Sequence, residues 1–189
     1  MNDPLEQQSV IDFVLESETN IDTAARLAKV FPIVQRQIIL PVLDDLEKKL
    51  RDALGLEWEI YNCREEILVK SYPGFTVSRK SWGEIYVNFE NQTHEGSTAI
   101  GIWRAKSPKT AGMDSALVEA FANASLSGAA NRWWAWYQDL PPEQGNWNAA
   151  TALGRMHFYK SETVDYFAKE ILRVHKIATP ILDKFISKT

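Results

Sequence analysis

A single cysteine, Cys63, is all the sulfhydryl chemistry in 189 residues, so no internal disulfide supports the fold. Histidine is scarce too. His94, His157 and His175 stand far apart, without His or Cys partners at zinc-ligand spacing, so no metal and no cofactor is expected. No apolar run approaches the roughly 20 residues that span a bilayer. The start, Met1-Asn2-Asp3-Pro4-Leu5-Glu6, lacks the basic segment and apolar core of a signal peptide. A cytoplasmic protein with no membrane partner is the expectation. Neither charge dominates: the net value of −4, with Lys and Arg scattered, gives little general attraction to phosphates and is too mild for a nucleic-acid mimic.

Catalytic signatures are missing as well. There is no Gly-x-Ser-x-Gly elbow, phosphate loop or dinucleotide glycine fingerprint. Cys63 sits beside Arg64, and a nearby cation lowers a thiol pKa; a small packing residue explains it more simply. A metal-dependent nuclease centre needs converging acids and an acid-x-lysine pair. Glu66 and Lys70 share one strand face, and Glu84 and Glu90 another, but Glu90 is followed by Asn91 and Gln92. Outward charges on a wet sheet face account for all four. No residue is assigned a catalytic role.

What the chain does have is tryptophan: seven in all, four of them between Trp133 and Trp147. Indoles supply apolar area plus an N–H donor, so the cluster marks either a dense core or a recognition surface. Most of these rings are expected in the core, with one or two left at a surface. Arg132, Arg104, Lys106 and Lys109 could add positive charge near them, as a stacking platform for single strands would require. Trp58, Trp82 and Trp103 fall at strand positions and are read as packing.

With 45% apolar and 24% charged residues the chain suits one globular domain over residues 1–189, helical over 1–54 and carrying a sheet and further helices over 55–189. Val10, Phe13, Val14 and Ser17 have helical spacing. Asn20-Ile21-Asp22-Thr23 starts a second helix, through Ala24, Leu27, Ala28 and Phe31. Val34, Ile38, Val42, Leu46, Leu50 and Leu54 form a four-residue ladder for a third, with Pro32 at its start, Pro41 as a kink or break, and Gly55 at its end. This 34–54 helix is also a candidate homodimer seam. Strands are read at 58–61, 67–70, 75–77, 84–90 and 99–103. In the fourth, Ile85, Val87 and Phe89 share one face and Glu84, Tyr86, Asn88 and Glu90 the other, which favours an antiparallel sheet with one wet side. A helix follows from Met113 to Ser127. The tryptophan segment reads as irregular, and 151–158 as a strand or turn. A final helix opens at Ser161-Glu162-Thr163-Val164, with Pro180 near its end.

The order of these features resembles a known family. It runs from Leu46-Glu47-Lys48-Lys49-Leu50 through Gly74-Phe75, Trp82 and Ile85-Tyr86-Val87-Asn88-Phe89-Glu90. It continues with Ile100-Gly101-Ile102, Trp133-Trp134-Ala135-Trp136-Tyr137, Trp147 and the terminal helix. Over residues 30 to 189 it is similar to the C-terminal, non-catalytic half of bacterial PD-(D/E)XK nuclease-like proteins, often found near prophages and defence loci. The nuclease half has no counterpart, so the resemblance implies a free-standing recognition module and carries over no catalytic residue.

The expected fold is α+β: N-terminal helices, a central antiparallel sheet of about four to six strands, and C-terminal helices packed on one face. The expected function is a non-enzymatic binding or regulatory module for a protein partner, linked to phage or bacterial defence. Its expected surface is Arg132, Trp133, Trp134, Trp136, Tyr137, Trp147 and Lys106. The alternatives are a nucleic-acid-binding accessory of a nuclease and a degenerate metal-dependent nuclease.

Overall fold

The computed structural model describes residues 4–62, 64, 74–92, 96–104 and 112–186. These fall into two compact units, Met1–Gln37 and Ile38–Thr189. Among the described residues no helix is long and apolar enough to cross a membrane.

The first unit contains α1 (Pro4–Leu15) and the opening part of α2 (Glu18–Leu54). The chain breaks helix at Ser17, whose Oγ accepts the Asn20 backbone N–H at 3.2 Å, a side-chain cap that favours starting a helix there. Asn20 Nδ2 donates back to the Phe13 carbonyl at 2.7 Å and ties the two helices. The sequence suggested three helical pieces; there are two. α2 runs through both Pro32 and Pro41. A proline inside a helix removes one hydrogen bond and costs about 3 kcal/mol. At Pro41 the neighbouring Ile39, Val42, Leu43 and Leu46 are wholly buried, and burial at roughly 1.5–3 kcal/mol per side chain outweighs the break.

The second unit is built on a five-stranded antiparallel meander in the order β1-β2-β3-β4-β5. The strands are β1 (Glu59–Asn62), β2 (Gly74–Ser78), β3 (Ile85–Gln92), β4 (Ser97–Arg104) and β5 (Trp134–Asp139). Helices α3 (Met113–Asn123), α4 (Pro142–Gly145), α5 (Ala150–Phe158) and α6 (Lys160–Ile186) complete it, so the fold is α+β. The expected strand at 67–70 lies outside the described residues.

The inner half of the alternation works as read in β3, whereas on the face read as wet Asn88 is buried as well. Val87 and Phe89 are buried, facing Ile102 and Ile100 of β4 in register, and α6 lays Phe167 5.1 Å from Phe89. Val42, Leu46 and Leu50 of α2 join the same core. This corrects the expected dimer seam: from Ile39 onward the apolar ladder of residues 34–54 is consumed by the chain's own interior. Two readings of secondary structure also change. Residues 150–158 form helix α5, whose Leu153 and Met156 enter the core at helical spacing. The tryptophan segment, read as irregular, contains strand β5.

Beside β2, a 3-10 turn (Lys80–Trp82) is locked to α6. Asp183 accepts from Arg79 at 2.9 Å and from the Trp82 indole N–H at 2.8 Å. Trp58 packs edge-on against Trp82 and against His175. Burial, then the charge of Arg79, pushes the His175 ring down to about 4, against an opposing pull from Asp183, so it sits neutral in this aromatic nest.

Candidate functional site: a cleft on the outer sheet face

The face of the sheet turned away from Val87, Phe89, Ile100 and Ile102 carries its side chains in rows across β3, β4 and β5. The first row is Tyr86, Trp103 and Trp134, since Tyr86 pairs with Trp103 and Trp103 with Trp134. Tyr86 and Trp103 stack with ring centroids 4.9 Å apart at 9°. The second row is Asn88, Gly101 and Tyr137, and the third is Glu90, Ala99 and Asp139. At about 3.3 Å per residue the aromatic and acidic rows lie roughly 13 Å apart. In the row between them, Gly101 raises no side chain from β4.

That arrangement opens a cleft of about 560 Å³ lined by Glu90, Gln92, Trp103, Asn131, Arg132, Trp133, Trp134, Tyr137 and Asp139. The rim is shaped by Asn131, whose Oδ1 accepts the backbone N–H groups of Trp133 and Trp134 at 2.8 and 2.9 Å. The Trp133 carbonyl in turn accepts the Arg104 N–H at 2.9 Å. Trp133 is 39% exposed, and the Arg132 guanidinium carbon lies 4.9 Å from its ring centroid. Trp134 and Tyr137 rings sit 5.7 Å apart inside the wall.

A register shift in the β4–β5 ladder decides which indole goes where. Ile102 pairs with Trp136 and Trp103 with Trp134, leaving Ala135 as the extra residue of a bulge. Residues two apart on a regular strand share a face. Here the bulge sends Trp134 to the cleft and Trp136 to the core, stacked on Phe121 at 3.8 Å and 12°.

Trp147 also lies inside, 6.0 Å from Phe89 and 6.4 Å from Phe167. Of the expected surface residues, then, Arg132, Trp133, Trp134 and Tyr137 converge on the cleft. Trp136 and Trp147 pack in the core instead. Lys106 lies outside the described residues, as do Cys63, Glu66, Lys70, His94 and Lys109.

Glu90 was read as a solvated charge, and the structure makes it the chemically distinctive group of the cleft. Burial raises its carboxyl from 4.5 to about 7, against the opposing pull of the Asn88 amide, which donates to Oε2 at 2.9 Å. Burial, with Glu90 and Glu84 nearby, also raises Tyr86. Glu90, Trp103 and Asp139 are brought to Trp133 only by strand register. The wet-face position of Glu90 was the one signal available in sequence. Among the described residues no group of three or more His, Cys, Asp or Glu is arranged to hold a metal.

No family model matches this chain, and no curated protein or solved structure matches it either. The cleft must be understood from its own chemistry.

The raised carboxyl makes stability depend on pH in a defined direction. Folded Glu90 holds its proton more tightly than an unfolded glutamate, so its contribution is complete below pH 4.5 and is lost as pH rises through about 7. Glu90→Gln, which carries no charge, is expected to exceed the parent by about 1–3 kcal/mol at pH 8 and to gain far less at pH 4. Urea unfolding at the two pH values checks this; an equal difference at both would contradict it.

Proposed function

We propose that the protein is a non-enzymatic binding module whose sheet-face cleft grips a basic side chain of a partner protein. The observation that supports this most directly is the spacing of two rows across β3, β4 and β5, aromatic at Tyr86, Trp103 and Trp134 and acidic at Glu90 and Asp139. Aromatic faces attract a cation and cover its apolar stem, worth about 0.5–2 kcal/mol depending on exposure. A carboxyl beyond them neutralises its head. Arg132 and the exposed Trp133 ring at the rim suit further contacts to the partner's backbone or aromatics. Small residues in the floor leave the room.

The same residues argue against a nucleic-acid platform. Phosphates would meet Glu90 and Asp139, and Trp136 is shut in the core, where no base can stack on it. The resemblance to nuclease-associated proteins adds the setting: a cytoplasmic partner in phage or bacterial defence.

Titration with arginine- and lysine-containing peptides, followed by tryptophan fluorescence, tests the proposal. Saturable binding is expected, weakened about tenfold or more by Trp133→Ala and by Glu90→Gln without loss of melting temperature. Affinity should rise between pH 6 and 8, because a bound cation favours ionised Glu90. Salt-sensitive binding to an oligonucleotide with none to basic peptides would replace this reading with the nucleic-acid one.

A further inference from the structure

A second cavity, of about 570 Å³, opens at the edge of β5, where Ala129 bridges to Tyr137 and α6 contributes Tyr166 and Glu170. It shares Tyr137 and Asp139 with the sheet-face cleft, so one strand walls both hollows. No described lysine or arginine lines it.

Glu170 is the unusual group here. It is only 9% exposed, yet among the described residues no hydrogen bond or ion pair reaches its carboxylate. Other carboxylates of this unit are matched: Glu47 with Arg51, Asp114 with Arg104, Asp165 with Lys49 and Asp183 with Arg79. All four are less buried than Glu170. Arg173, three residues further along α6, sends its guanidinium to the Ala124 carbonyl at 3.2 Å instead. A charge withdrawn from water without a donor is costly, and an incoming cation relieves that cost.

Tyr166 completes the seat. Burial, then Glu170 and Glu143, raises its phenol, so the ring stays neutral. An aromatic ring beside a carboxylate suits a cationic head on an apolar stem. An anionic ligand would meet Glu170 and Asp139 with no described cation to receive it.

Building on the cleft as the seat of one basic side chain, we infer that this cavity seats a second basic side chain of the same partner, with Glu170 receiving its charged head and Tyr166 its stem. The shared wall of Tyr137 and Asp139 makes the two seats one footprint across β5. The segment recognised therefore carries a pair of basic residues.

Calorimetric titration of the full chain tests this with alanine-based peptides that hold one arginine, or two arginines separated by none to six residues. The best-spaced pair should bind about tenfold or more tighter than the single arginine, because the second contact is made within one bound molecule. Glu170→Gln should bring that ratio close to one, with a melting temperature at or above the parent's. Ser127→Lys, at an exposed position on the cavity wall, places an ammonium in the seat and should abolish the ratio by a second route. Single-arginine binding with no gain for any pair, or a gain that survives both substitutions, would overturn the second seat and leave the cleft reading standing. No binding by any of the peptides would overturn both.

Discussion

Trp136→Ala is expected to destabilise the protein by about 3–5 kcal/mol, enough to abolish most of the stability of an ordinary domain. The indole is 1% exposed, stacks on Phe121 and lies opposite Ile102, so its removal leaves a cavity where helix α3 meets strand β5. α3 packs on both β5 and α6, and the vacancy lies against helices held by their own contacts, which limits collapse. Trp133→Ala, three residues away on the rim, should shift stability by less than about 1 kcal/mol. Equilibrium urea unfolding of the two variants measures the contrast. Comparable losses at both positions would mean the two rings do the same job.

Gly101→Ala should be as damaging, for a reason unrelated to hydrophobicity. A Cβ at this position would fall 2.1 Å from the Trp136 carbonyl oxygen and 2.6 Å from the Tyr137 Cα, so backbone rather than a mobile side chain would have to move. Overpacking against a movable neighbour costs about 1–3 kcal/mol. Displacing strand β5 should exceed that and also close the cleft, because Gly101 shares a row with Tyr137. Gly154 of α5 is the control: nothing lies within 4 Å of its added Cβ, and Gly154→Ala should gain about 0.5–1 kcal/mol in melting experiments. A Gly101→Ala protein as stable as the parent would show that β5 can move off β4 at little cost.

The sheet was legible where alternation was regular. Ile85, Val87 and Phe89 announced a buried face, and the pairing of β3 with β4 followed from it. The helical ladder before Gly55 was equally plain, although its prolines suggested breaks that tertiary burial overrides. Strand β5 was hidden for a specific reason. Trp133, Trp134 and Trp136 show no period of two, and the bulge at Ala135 that gives the segment a strand's geometry depends on its partner strand. α5, at nine residues, was too short for its apolar spacing to stand out from a strand. The site was half visible. Arg132, Trp133, Trp134 and Tyr137 are neighbours in the chain, whereas Glu90, Trp103 and Asp139 join them through register, which spacing along one strand does not encode.

The extra residue at Ala135 gives the chain a freedom that a regular strand lacks. Two indoles two positions apart point to opposite faces of one strand, so Trp134 walls the cleft while Trp136 anchors the helix layer. Cleft wall and core anchor are thereby separated within six residues of backbone. Straightening the bulge with every residue retained would put both indoles on one face, whereas deleting Ala135 would make them consecutive and leave them on opposite faces.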